Sequence, residues 1–234
     1  MNEMKKLSWL VVLVLVVVAC DSSDSSDVNP QGIYQSYQYE YNAQTNRTKV
    51  RAAFQIGSST GDYLELSDPA SIEVNGEQFV NYVNIGLYHY HFQFDGHQDI
   101  AIEFKDNDGF VYVNTIPKEV IEPIELNPEL EYAEGKDLVI DFLGDPLQDS
   151  ENIHVFLSNN YGVSSSHYQY QEGATSVTVP SKDLNDFKGS EVTLYVVREK
   201  SEETKTTSSA GGRTSALYRS KEIKVQMWFI MYNY

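Results

Sequence analysis

The sequence predicts an all-β protein built as two β-sandwich domains in series. Three observations carry this. From Tyr34 onward, apolar residues recur with period two rather than 3.6. Turn-forming clusters separate the alternating runs at short intervals, the strongest being Asn75-Gly76 between Ser71-Ile72-Glu73-Val74 and Gln78-Phe79-Val80. No long amphipathic helix occurs, and one proline-dense stretch divides the β runs into two sets.

Residues 1–19 stand outside that pattern. They hold the basic pair Lys5-Lys6, an apolar run from Leu7 to Val18, and Ala19 directly before Cys20, the one cysteine of the chain. This is the layout of a secretory signal. The run falls short of the ~18 apolar residues that a membrane-spanning helix needs. Val17-Val18-Ala19-Cys20 resembles the lipobox of bacterial lipoproteins. That resemblance implies cleavage before Cys20, a lipid thioether on Cys20, and a place in the bacterial cell envelope, held to a membrane by that lipid. Asp21 directly after the cysteine matches the pattern that retains lipoproteins in the inner membrane of enteric bacteria, but the rule varies with lineage and leaves inner or outer membrane open. Residues 20–32, rich in Ser and Asp, read as a tether that reaches ~40 Å at full extension.

The first sandwich is expected over 33–116. Tyr37, Tyr39 and Tyr41 alternate with Gln38 and Glu40, and Val50, Ala52 and Phe54 mark a second strand. Tyr63 to Leu66 gives a short third, and Asn75-Gly76 a hairpin. Tyr88, Tyr90, Phe92 and Phe94 then alternate with His89, His91 and Gln93. Ile100, Ile102 and Phe104 pair with Val111 and Val113 across Asp106-Asn107-Asp108-Gly109. Residues 117–128 carry Pro117, Pro123 and Pro128, and each lacks the N–H a ladder needs, so this segment reads as an extended linker. The second sandwich, 129–230, shows strands at Leu138 to Phe142, Ile153 to Leu157, Ser176 to Val179, Val192 to Val197 and Glu222 to Phe229. Residues 180–189 suggest a helical turn closed by Gly189. Residues 201–214 read as a long hairpin loop or a mobile excursion.

Asp137-Leu138-Val139-Ile140-Asp141-Phe142, Ser176-Val177-Thr178-Val179-Pro180 and the run from Gly189 to Arg198 resemble an immunoglobulin-like module of bacterial exported lipoproteins. Val74-Asn75-Gly76-Glu77 between alternating strands looks like the β-sandwich that often precedes it. The resemblance implies a fold and no activity. The Cys…Trp…Cys core of antibody domains is absent.

Composition narrows the function classes. The 234 residues carry a formal net charge of −17. Nucleic-acid binding rests on Lys and Arg neutralising phosphates, so such a partner is excluded in expectation. Electrostatic attachment to anionic lipid is disfavoured for the same reason. With one cysteine there is no internal disulfide, and stability must come from packing.

Candidate sites are few. His89 and His91 project from one face of a strand with His97 nearby, a spacing that could hold zinc, but no Cys, Asp or Glu stands at a telling spacing and the outer face of a strand is the preferred reading. Asp106-Asn107-Asp108-Gly109 resembles the start of a calcium loop, but strand follows at once and the loop's later ligands are missing. There is no Gly-x-Ser-x-Gly elbow and no phosphate loop; His154 and His167 stand alone. No catalytic, cofactor or metal residue is assigned, no cofactor is expected, and the chain is not read as an enzyme. The tyrosines, 17 in all, leave two options. Tyr37, Tyr39 and Tyr41, or Tyr168 and Tyr170 beside His167, either pack a core or stack sugar rings. The reading is a lipid-anchored envelope protein with a structural or protein-interaction role. The alternative is a glycan-binding lipoprotein using exposed tyrosines, and an envelope enzyme or metal-binding protein ranks third.

Overall fold

A computed structural model describes residues 23–78, 83–84, 87–130 and 132–227. The signal segment, Cys20, Phe79-Val80 and Trp228-Phe229 lie outside these residues. The described strands, in chain order, are β1 (Ser23–Asp24), β2 (Ile33–Asn42), β3 (Arg47–Ile56), β4 (Leu64–Glu65), β5 (Ser71–Val74), β6 (Glu77–Gln78), β7 (Val83–Asn84), β8 (Leu87–Tyr88), β9 (Tyr90–Asp95), β10 (Ile100–Lys105) and β11 (Val111–Ile116). The second half adds β12 (Glu125–Leu126), β13 (Leu138–Leu143), β14 (Glu151–Asn159), β15 (Ser164–Gln169), β16 (Ser176–Val179), β17 (Glu191–Glu203), β18 (Gly212–Arg219) and β19 (Ile223–Gln226). The protein is all-β, and the segment Ser181–Phe187 forms a short 3-10 helix.

One long sheet runs through both halves in the order β15-β14-β17-β18-β2-β3-β9, with β19 pairing the first part of β17. Two small sheets cover its inner face. In the first half this is β11-β10-β5-β6, and in the second β12-β13-β16. Each half is therefore a sandwich with its own cover, as the alternation predicts. The halves nevertheless share a layer. Where 33–116 and 129–230 read as separate domains, β18 lies parallel to β2 over eight residues, from Gly212↔Gln35 to Arg219↔Asn42.

Period two sets the burial. On β2, Ile33, Gln35, Tyr37, Tyr39 and Tyr41 turn inward, while Tyr34, Ser36, Gln38 and Glu40 turn outward. Phe54 of β3 meets Phe104 of β10 with ring centroids 4.3 Å apart. Both are fully buried, and such a side chain stabilises by about 1.5–3 kcal/mol. In the second half Ile153, Val155, Leu194 and Val196 face Ile140 and Val177, and all of these belong to one continuous core with the first half.

Local turns follow the sequence. Asn75 and Gly76 both adopt positive φ, 51° and 77°, as a two-residue type I′ hairpin requires. The Asp106 turn is a hairpin closed by its own side chain: Oδ1 accepts from the Asp108 and Phe110 amides at 3.0 and 2.9 Å, and the Tyr112 hydroxyl donates to Oδ2. That carboxylate is satisfied by the protein itself.

Three segments differ from expectation. From Ser23 the tether is docked: β1 pairs in parallel with β4, Ser25 is buried, and the Ser67 amide donates to its hydroxyl at 3.0 Å. In the connector 117–128, Ile121 and Ile124 are fully buried and β12 pairs with β13; apolar side chains between the prolines outweigh the poor ladder. Residues 201–214 form the β17–β18 hairpin, with the loop pinned on the first half. There Ser208 Oγ donates to the Ile33 carbonyl at 2.6 Å, and Asn114 exchanges two hydrogen bonds with the backbone of Thr206.

Candidate ligand-binding face

The outer face of the long sheet, away from both small sheets, gathers the groups that can bind. Strand register decides which. His154 of β14 lies opposite Tyr168 of β15, and Phe156 opposite Tyr195 of β17. The rings form a continuous lane. Tyr170 and Tyr168 are stacked 6.0 Å apart with planes 6° from parallel. Tyr168 stacks on His154 at 5.3 Å, His154 leans on Phe156 at 4.9 Å, and Phe156 stacks on Tyr195 at 4.8 Å. The lane ends where the Arg219 guanidinium of β18 lies 3.7 Å over the Tyr195 ring, a cation–π contact, while its Nη2 holds Glu222 at 2.7 Å. Tyr168 is 52 % and Tyr170 69 % exposed, so this end of the lane reaches solvent.

Beside the lane is a pocket of about 200 Å³ bounded by Glu40, Tyr195, Leu217 and Arg219. Burial lowers the His154 pKa, which Glu199 opposes in part. The imidazole is therefore neutral near pH 7 and serves the lane as a ring rather than a charge. On the far side of the face, β2, β3 and β18 enclose a polar pocket of about 330 Å³ with Arg51, Arg213, Tyr34, Tyr63 and His89 in its walls.

The other tyrosine set is core. Tyr37, Tyr39 and Tyr41 are all buried, and their hydroxyls donate to Gln35, Gln98 and Asn46. Burial pushes the Tyr39 phenol up to about 12. These residues cannot stack a ligand. The alternation with Gln38 and Glu40 that made them visible is the signature of one buried face.

The histidines divide as well. His89 and His91 lie on the outer face with rings 6.1 Å apart. His89 is held down to about 4 by burial and by the Arg51 guanidinium. His97 packs on the inner side against Tyr41 at 4.2 Å. Among the described residues no group of three or more His, Cys, Asp or Glu is placed to hold a metal ion. His167 points away from the lane, and its Nε2 lies 2.8 Å from Ser165 Oγ. Among the described residues no carboxylate bonds that imidazole, so the pair lacks the orienting third member of a triad.

Sequence reasoning reached Tyr168 and Tyr170 but not Phe156, Tyr195, Arg219, Arg51 or Arg213 as members of one face. Their juxtaposition depends on β15 and β18, which carry few apolar residues. One signal was present: in Ser164 to Tyr170 neither alternate set is apolar, the mark of an edge strand whose aromatics are not core. Among the described residues no helix is long and apolar enough to cross a membrane. No protein-family model and no curated protein matches the chain.

Proposed function

We propose that this is a lipid-anchored protein of the bacterial cell envelope that binds glycan on the outer face of its long sheet. The observation that carries the binding role is the aromatic lane, above all the exposed and near-parallel rings of Tyr168 and Tyr170. The axial C–H groups of a sugar ring pack against the electron-rich face of an aromatic ring. At the other end of the lane, Glu40 and Arg219 line a pocket and offer polar partners for ring hydroxyls. The anchor reading rests on the order of Lys5-Lys6, the apolar run and Cys20.

Two variants test the two parts separately. Tyr168→Ala/Tyr170→Ala removes exposed rings and should leave the melting temperature within a few degrees while abolishing oligosaccharide binding by titration calorimetry. Binding that survives the double substitution would refute the lane. Cys20→Ser should release the protein from the membrane fraction; a variant that still pellets with membranes would refute the anchor.

A protein-interaction role has one observation of its own. β15 ends the strand order of the long sheet, and Ser164–Gln169 carries no Lys, Glu, Asp, Arg or Pro to discourage strand addition.

A further inference from the structure

The chain holds five arginines, all on strands of the long sheet. Three are paired with carboxylates: Arg47 with Asp95, Arg198 with Glu151 and Arg219 with Glu222. The other two, Arg51 and Arg213, form no ion pair among the described residues, although the chain has 34 Asp and Glu to offer. Both are exposed, and both line the same 330 Å³ pocket. Arg213 also lies across from Glu203 of β17 without an ion pair to it, so in this acidic protein two guanidinium groups on one pocket wall keep their charge available to an external anion.

The register explains how they converge. Arg51 lies opposite Gln38 on one side of β2, and Arg213 opposite Ser36 on the other. The two positions are two strand spacings apart across β2 and two residues apart along it, ~12 Å, a gap that two long arginine side chains can span over β2. Glu199 is the one carboxylate in the pocket wall. Its oxygens face Asn152 at 3.5 Å and Ser201 at 3.4 Å, toward β14 and β17. Tyr34, Tyr63 and a neutral His89 complete the wall.

We propose that this pocket is an anion subsite that takes the carboxylate or sulfate group of an acidic sugar, so that the ligand of the face is an acidic rather than a neutral oligosaccharide. The inference rests on the glycan reading of the aromatic lane. Continuity supports it: Leu217 and Glu40 beside the lane are next but one to Ser215 and Gln38 in the pocket, a step of about 7 Å. A guanidinium matches a carboxylate or sulfate with two parallel hydrogen bonds. The overall negative charge does not forbid this, because at physiological ionic strength charges beyond ~8 Å are screened and the two arginines touch the ligand directly.

Titration calorimetry on the whole protein tests it, with neutral, uronate-containing and sulfated oligosaccharides of equal length. One acidic ligand should bind roughly 10- to 100-fold more tightly than the neutral one, the range for a charge-assisted contact; which of the two does so identifies the anion. Arg51→Gln/Arg213→Gln should reduce that ligand to the neutral affinity and leave neutral binding unchanged, while Arg47→Gln on the same face should change neither. Because Arg51 and Arg213 are unpaired and exposed, the double variant should melt within a few degrees of the parent. Equal affinity for all three ligands, or acid preference that persists in the double variant, overturns the subsite and leaves the glycan reading standing. Absence of binding to any of them overturns both.

Discussion

Arg198 offers a sharp test of how this core is held together. Its side chain is fully buried in the second sandwich, and Nε lies 3.5 Å from the buried Glu151 carboxylate. Nη2 donates to the Asp145 carbonyl, while Nε and Nη1 have no hydrogen-bond partner. Glu151 also accepts from the Gln148 amide at 3.0 Å. The pair is thus desolvated and incompletely bonded, so its Coulombic attraction has a large hydration cost to offset. Arg198→Met removes the cation but leaves Glu151 charged and buried, which costs about 3–5 kcal/mol. For a chain of this size 1 kcal/mol moves the melting temperature by roughly 2–4 °C, so the single variant should melt roughly 6–20 °C lower. Arg198→Met/Glu151→Leu removes both charges and should recover to within about 1 kcal/mol of the parent or exceed it. Thermal and urea unfolding of the parent, both single variants and the double variant give the full cycle. A single variant as stable as the parent, or a double variant worse than either single, would refute the argument that an orphaned buried charge dominates.

Two further outcomes follow from the geometry. At Gly212, where β18 leaves its hairpin, an added Cβ would stand 2.6 Å from the Gln35 carbonyl and 2.9 Å from Thr207 Cγ2. Gly212→Ala should therefore destabilise by about 1–3 kcal/mol through overpacking, and a variant of unchanged urea midpoint would mean that the β18–β2 pairing is looser than described. His154 is held neutral by burial, so below its ordinary value of 6.5 the unfolded chain binds a proton that the folded chain refuses. Stability then falls as pH drops below about 6.5, and stops falling once the folded imidazole protonates too. His154→Phe keeps the stack and removes the proton, so its melting temperature should fall less between pH 7.5 and 5 than that of the parent. Equal losses would show that His154 does not contribute.

Most strands of the first half were legible because their alternation is strong; on β11 the face was misread, since Val111 and Val113 lie exposed opposite Lys105 and Glu103 while Tyr112 is buried opposite Phe104. Tyr37, Tyr39, Val50, Ala52 and Phe54 announce a buried face at period two, and Asn75-Gly76 announces its turn type. β15 and β18 were not legible, for opposite reasons. β15 is polar on both sides because it is an edge. β18 turns Thr214, Ala216 and Tyr218 inward, a small-residue pattern that reads as loop beside Ser- and Thr-rich neighbours. The sharing of one sheet by both halves was invisible too, since no local period records which distant strand lies alongside. The ligand-binding face inherits that difficulty: each ring is plain in the sequence, but the lane exists only through pairings across β15, β14, β17 and β18.

The parallel seam between β18 and β2 also governs how the chain comes to be folded. β2 and β3 are neighbours in sequence and can pair as soon as they are made. The other edge of β2 waits for a strand near the far end; Ser208, which bonds the Ile33 carbonyl, is 175 positions downstream. Until then a tyrosine-rich strand offers an unpaired row of backbone donors and acceptors, an aggregation hazard. Closing so long a loop before any contact rewards it is slow. The molecule thus cannot mature half by half as it is synthesised: its first sandwich is finished last, by residues that belong to the second.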